Sequence, residues 1–266
     1  MAAQPFALGL PLPFLAISGA VLGAIVGSFL ATILTRWPHG RGVMKGRSQC
    51  DACGAELSAR DLVPLLSFLV QRGRCRRCGA RIDSRHFAME LAAALIGAIA
   101  VLAHPLPLAL VTAVLGWWLL VTAAIDAEEQ WLPDLLTLPL VPLGLAVAWA
   151  GFGPPLEDRL IGAAAGWLTL LALAWLYRRV RGREGLGGGD PKLLAGIGAW
   201  LGVLQLPFVL LGAGLVGLGA VLALRLRGDK VSATTRLPLG GLMAVAAWPI
   251  WIVTAIDSAG INLDIL

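Results

Sequence analysis

Two kinds of residue in this chain are equipped for chemistry: a few carboxylates at the edges of long apolar stretches, and four cysteines in two pairs. Asp190 stands behind Gly187, Gly188 and Gly189 and just ahead of Pro191, Lys192 and the apolar run LLAGIGAWLG. Asp126 closes the run LVTAVLGWWLLVTAAI and is followed by Glu128, Glu129 and Asp134. A carboxylate at an apolar boundary is expensive, so something must compensate it or use it. Two carboxylates brought together in a partly dry site share a proton, which lets one act as base on a water and the other as acid on a carbonyl. Spacing leaves Asp126, Glu128, Glu129 and Asp134 all open as the partner of Asp190. The pattern also suits a proton or ion relay in a transporter, and Asp190 before Pro191 has the form of a helix N-cap. The three glycines would let a substrate or a partner helix come close to the backbone.

The cysteines fall as Cys50-x-x-Cys53 and Cys75-x-x-Cys78, with Gly54 and Gly79 following the pairs. Two such pairs about twenty residues apart match a tetrahedral four-thiolate zinc site, and glycine after each pair suits a tight turn around the metal. A redox pair occurs once, beside a βαβ pattern that is absent here. Disulfides are the other alternative, but a cytosolic segment keeps its thiols reduced. Four cysteines close the coordination shell, so this metal is structural.

The elements that hold these groups are membrane helices. The chain is 58% hydrophobic and only 14% charged, against about 25% charged in ordinary soluble domains. The runs 110–125 and 160–177 show no polar face of the kind a soluble helix needs. Hydropathy predicts about eight transmembrane helices, near residues 12–35, 87–104, 106–125, 135–150, 158–177, 191–204, 206–224 and 237–256. The first lacks the basic leader of a cleaved signal peptide and reads as a retained span. No internal repeat or low-complexity tract is expected.

Basic residues crowd three segments: Arg36 to Arg85, including Lys45 and Arg47; Arg178 to Arg183; and Arg225 to Arg236, including Lys230. The loops AHPLPLA and GFGPPLED are nearly free of Lys and Arg. Alternating spans put all three clusters on one side, the cytosolic one, with both termini opposite. Topology accounts for the basic balance, so no nucleic-acid partner is expected. The domain expectation is a first transmembrane helix over 1–36, a cytosolic four-cysteine domain over 37–86, and a transmembrane domain over 87–266.

Taken jointly, GSFLATILTRWP (27–38), the cysteine segment 46–91, AAIDAEEQWLPDLLTLPLVPLGL (123–145) and GLGGGDPKLLAGIGAWLG (185–202) resemble the bacterial prepilin peptidases, G-x-G-D aspartyl proteases of the membrane. The resemblance implies that Asp126 and Asp190 are the catalytic aspartates, supported by Gly187, Gly189, Lys192 and Asp134. It also implies that Cys50, Cys53, Cys75 and Cys78 bind zinc. The implied activity is cleavage after glycine of the leaders of type IV prepilins or type II secretion pseudopilins, in the bacterial inner membrane. N-methylation of the new terminal residue from S-adenosylmethionine is implied as well. The chain has Ala31 where such proteins usually carry asparagine, and Pro238-Leu239-Gly240-Gly241 where they resemble P-F-G-P. Both departures are expected to lie away from the aspartates and to bear on substrate preference and methylation. The rival readings are a peptidase without methyl transfer, a G-x-G-D protease of another substrate class, and a non-enzymatic transporter with a zinc module. The cysteine segment argues against the second, and the lack of inverted repeats against the third.

Overall fold

A computed structural model describes residues 10–43, 48–182, 185–228 and 237–258. Lys45, Arg47, Arg183, Lys230 and Arg236 of the basic clusters lie outside them. Among the described residues the chain is all-helical, its only β pairing being two isolated bridges. The helices are α1 (Leu12–Arg36), α2 (Leu66–Val70), α3 (Ser84–Ala103), α4 (Leu106–Glu129), α5 (Asp134–Thr137), α6 (Leu140–Trp149), α7 (Leu156–Arg181), α8 (Asp190–Leu201), α9 (Leu206–Leu226) and α10 (Leu239–Ser258). Every one of the eight expected apolar stretches is helical. Five are long and apolar enough to cross a membrane: α1, α3, α4, α7, and α9 with the short 3₁₀ turn before it. The other three are α5 with α6, interrupted near Pro139; the twelve-residue α8; and α10, which carries Pro249 internally. The protein is a multi-pass membrane protein.

The chain divides into two compact units, Met1–Val121 and Thr122–Leu266. In the first, α1 packs along α3 at backbone distance. Gly19, Gly23 and Gly27 recur every fourth residue on α1, and a Cβ at Gly19 or Gly27 would stand 2.6 Å from the Gly97 carbonyl oxygen or 2.7 Å from Glu90 Cα. In lipid, where apolar burial does not drive helices together, such close van der Waals contact does. Trp117 adds a hydrogen bond from its indole N–H to the Ala93 carbonyl, 2.9 Å.

In the second unit α8 is the central element. At twelve residues it is about 18 Å long, too short for a hydrocarbon core of ~30 Å. Every residue of it except Lys192 is buried, under α6, α7 and α10, and Gly202, where its backbone turns irregular at the C-terminal end, is buried as well. Gly162 and Gly166 of α7 meet the Gly198 and Leu194 carbonyls, each 2.5 Å from where a Cβ would be. The Trp200 indole N–H donates to the Leu140 carbonyl at 2.9 Å, and the Trp200 ring packs edge-on against Trp251 of α10.

Arg159 is fully buried in α7. Its guanidinium donates to the carbonyls of Gly144 (2.7 Å), Pro154 (2.9 Å) and Phe152 and lies 5.5 Å from the centre of the Trp251 ring. One side chain thus ties α6, the α6–α7 loop, α7 and α10 together. Removing it leaves three carbonyls, one buried and two part-buried, without their donor. We expect Arg159→Ala to destabilise the detergent-solubilised protein by about 3 kcal/mol, read as a lowered Tm, with Arg159→Lys in between.

Candidate functional site

Asp126 lies in the last turn of α4, which ends where Gln130 takes a left-handed φ of 50° and bonds back to the Asp126 carbonyl. Asp190 is the first residue of α8. Both side chains are buried, 5% and 7% exposed. A Cβ added to Gly240 would stand 3.1 Å from Asp126 Oδ2 and 3.2 Å from Asp190 Oδ1. Those two oxygens are therefore no farther apart than the sum of the two distances. The fold brings together Asp126 and Asp190, rather than any of the other three acids.

Each carboxylate is held by a backbone amide. The Gly241 N–H donates to Asp126 Oδ2 at 2.6 Å, and the Gly187 N–H to Asp190 Oδ2 at 3.0 Å. The Gly240 amide faces both. Charge-assisted bonds of this kind are the strong ones. Leu132 closes the neighbourhood: a Cβ at Gly189 would fall 2.5 Å from its Cβ, and its Cδ1 reaches Gly240. Gly189 is required there for close approach, as the sequence suggested.

Two sequence expectations are corrected. Asp190 does not cap α8: the N-cap is Gly189, and the Asp190 carboxylate turns back to the Gly187 amide. The Pro238–Gly241 segment does not lie away from the aspartates but touches both of them through Gly240 and Gly241. The remaining predicted residues have separate positions. Asp134 opens α5 and pairs with Lys192 of α8, 2.6 Å, at an exposed site. Glu128 and Glu129 are exposed, and Ala31 is buried in α1.

In the first unit the two C-x-x-C-G-A segments fold alike, a local duplication where no repeat was expected. In each, the cysteine amide bonds to the alanine carbonyl five residues on (Cys50 to Ala55, 2.9 Å; Cys75 to Ala80, 2.8 Å), and the glycine amide returns to the first cysteine carbonyl. Gly54 and Gly79 have φ of 66° and 72° with open space around them, so glycine is needed for its backbone alone. Isolated bridges, Gln49 to Glu56 and Arg74 to Arg81, close the two hairpins. All four Sγ atoms lie within 4.8 Å of one another, with Cys50 and Cys78 3.8 Å apart. Four sulfurs arranged tetrahedrally at about 2.3 Å from an ion stand about 3.8 Å apart, so the cluster fits a metal ion. The surroundings of the thiols point the same way. The Cys78 and Arg77 amides hold Cys75 down to about 7. At Cys78 the Ala80 amide favours the thiolate, yet the crowding sulfurs of Cys53, Cys75 and Cys50 push it up to about 11. A cation removes that conflict.

Residues 21–104 match the bacterial peptidase A24 N-terminal domain, and residues 113–222 the type IV leader peptidase family. A prepilin leader peptidase/N-methyltransferase of Pseudomonas putida is 38% identical over 252 residues, 86% of this chain and 87% of that protein. Proteins of the same description from Dichelobacter nodosus (40% over 202 residues; 76% and 69% coverage) and Aeromonas hydrophila (43% over 209; 77% and 71%) are also similar. No solved structure matches the chain. Gly240 and Gly241 lie beyond both matched ranges.

Elemental analysis of the purified protein is expected to find about one divalent metal ion per chain. The double change Cys50→Ala with Cys78→Ala should bring that to background.

Proposed function

Since the chain belongs to the type IV leader peptidase family, we propose that it cleaves the leader of type IV prepilins or type II secretion pseudopilins after glycine and then N-methylates the new terminal residue. The observation that carries this reading is the pair of buried carboxylates, Asp126 and Asp190, meeting around Gly240 at the ends of apolar helices. A substrate with a short polar leader and an apolar membrane helix presents its scissile bond at that boundary.

The dyad holds one proton between its carboxyl groups. The ionised aspartate takes a proton from a water, and the resulting hydroxide adds to the glycine carbonyl carbon. The protonated partner gives its proton to the carbonyl oxygen. The tetrahedral adduct then collapses with cleavage of the C–N bond, and the leaving amine takes up a proton. The Gly187 and Gly241 amides fix one oxygen of each carboxylate throughout, which keeps the acid and the base in register. Gly240, without a side chain, leaves room between them for the water and an extended substrate backbone. Gly187 and Gly189 serve as support through the amide bond and the contact with Leu132. Lys192 and Asp134 brace α8 against α5 from outside.

The functional division follows residues 1–36, 37–86 and 87–266: a first membrane helix, a four-cysteine domain and the peptidase domain. Zinc is the ion that a tetrahedral set of four thiolates suits, in a structural role. S-adenosylmethionine supplies the methyl group. Arg36, Arg178, Arg179 and Arg181, and Arg225 and Arg227 stand at or just past the C-terminal ends of α1, α7 and α9, and alternation of the eight apolar stretches favours one side for all of them. The positive-inside rule makes that side the cytosol. The zinc domain and the dyad then face the cytosol from the bacterial inner membrane.

Mass spectrometry of a prepilin incubated with the purified protein and S-adenosylmethionine tests this. The wild type should give a shortened product carrying one extra methyl. Asp126→Asn and Asp190→Asn should each slow shortening by at least about 10³-fold; cleavage by either at wild-type rate would sink the dyad. Gly240→Val, which fills the space between the carboxylates, should cost at least about 100-fold. Lys192→Met should cost less than about tenfold, because its ion pair is exposed.

A further inference from the structure

Helix α2 has two faces. Inward, Ser67 and Phe68 line a cavity of about 280 Å³ beside α1 and α3, and Phe68 stacks on Phe87 of α3 with ring centroids 4.9 Å apart. Outward, Leu66, Leu69 and Val70 recur at helical spacing and are 61%, 58% and 74% exposed. The exposed Leu62 and Val63 continue this face just ahead of the helix. Among the described residues from 48 to 83 these five are the only large apolar side chains that are exposed. Five of them on one short segment form a patch, and a patch of this kind on a water-facing module marks a surface that something covers.

The depth of this face decides what covers it. The Leu65 N–H donates to Glu90 Oε2 at 2.8 Å, from a turn in which Leu65 takes a strained left-handed φ of 61°. Glu90 lies well inside a membrane span. It stands about 9 Å along α3 from Ser84, and Gly27, which abuts its Cα, stands about 13 Å along α1 from Arg36, at 1.5 Å per residue. One side chain and one hydrogen bond separate Leu65 from that level, so α2 starts below the ends of both spans. Interfacial helices bury their apolar faces about 5–10 Å into the boundary between headgroups and acyl chains, which is the same depth. The charges agree. From residue 60 to 77 the chain carries Arg60, Arg72, Arg74, Arg76 and Arg77 against a single acid, Asp61, which Arg76 pairs at 3.1 Å. Arg60, Arg72 and Arg74 are exposed and flank the apolar face in the chain, while the exposed acids Asp51 and Glu56 belong to the first cysteine hairpin.

We infer that the outer face of α2 is seated in the bilayer, on anionic phospholipids. Leu66, Leu69 and Val70 lie among the acyl chains, and Arg60, Arg72 and Arg74 meet the lipid phosphates. The cysteine-bearing segment is then docked into the leaflet between its two spans rather than suspended in water. The inference rests on α1 and α3 as membrane spans and is independent of leader cleavage and methyl transfer.

Photolabelling from the lipid tests this. The full-length protein is placed one chain per nanodisc in equal parts of phosphatidylcholine and phosphatidylglycerol, with a diazirine on the acyl chain of one lipid or the other. Trypsin cuts after Arg47, Arg60 and Arg72, so residues 61–72 are recovered apart from residues 48–60, which serve as the aqueous reference. The 61–72 peptide is expected to take at least about fivefold more label than the reference. Leu69→Glu combined with Val70→Glu should remove most of that excess, with metal content unchanged as a report on the fold. Label carried on phosphatidylglycerol should exceed label on phosphatidylcholine at least about threefold. No excess of label on 61–72, or an excess that the double variant leaves intact, overturns the inference. Equal labelling from the two lipids overturns the headgroup assignment. If 61–72 stays unlabelled and its amides gain protection from hydrogen exchange only when a prepilin is added, or only in discs holding two chains, the face docks protein and not lipid.

Discussion

Two carboxylates must sit side by side in apolar surroundings without the space between them being filled, and the second unit is organised around that constraint. Burying such a pair demands hydrogen-bond donors. Side-chain donors would bring bulk or a compensating charge, whereas backbone amides bring neither. Gly187 and Gly241 supply the amides, while Gly189 and Gly240 are the points at which Leu132 and the carboxylates come too close for any Cβ. Leu132 in turn covers the pair with an apolar side chain. The site is therefore made mostly of main chain, and its precision depends on where helix ends are held.

That positioning comes from packing remote from the carboxylates. Asp190 is fixed because α8 is clasped at backbone distance by α7 through Gly162, Gly166 and Gly198, and by α6 through Gly144, which abuts the Ala199 carbonyl. Gly240 and Gly241 are fixed because α10 is anchored further along by Trp251, which meets both Trp200 of α8 and the Arg159 guanidinium. Arg159 shares its donors among three carbonyls of α6 and the loop after it. A buried cation satisfied by backbone dipoles thus sets the register of the helix that carries half of the dyad's support. In a lattice of small-residue contacts, a shift at one helix crossing is transmitted, because close-packed interiors do not deform continuously.

The sequence made the apolar stretches, the thiolate cluster and the two aspartates legible, because each is written in local composition or short spacing. Hydropathy found eight stretches but not that α8 is a short helix shielded by its neighbours; length in sequence does not say what surrounds a helix. The cap reading of Asp190 was reasonable from Asp-Pro at a helix start, but tertiary donors won: the carboxylate has Gly187 behind it and Gly240 across from it. Gly240 and Gly241 were invisible as site residues because the Gly241–Asp126 bond joins positions 115 residues apart, and a glycine pair at the start of a helix reads as a boundary. Arg159 in PPLEDR and Glu90 in AMEL carry no local signal of a special role. Each became informative only through what folding placed beside it. The repeated C-x-x-C-G-A was on the page as a short signal, although too brief to register as a repeat.

The cysteine cluster has a physical role beyond holding its own hairpins. Its two pairs bracket the segment from Gly54 to Arg74, which contains the strained Leu65 and the stacked Phe68. Gly73, at φ 65°, returns its amide to the Phe68 carbonyl and lies so close to the ring that a Cβ would be 3.0 Å from it. A metal bound by both pairs closes this loop at its two ends and removes much of the entropy the open chain would otherwise keep. With such an ion bound, the closed loop would favour the left-handed φ of Leu65, whose amide donates to Glu90 at 2.8 Å. An ion bound there would have a closed shell and do no chemistry itself, and by holding this loop it would help to shape the cavity beside α1 and α3.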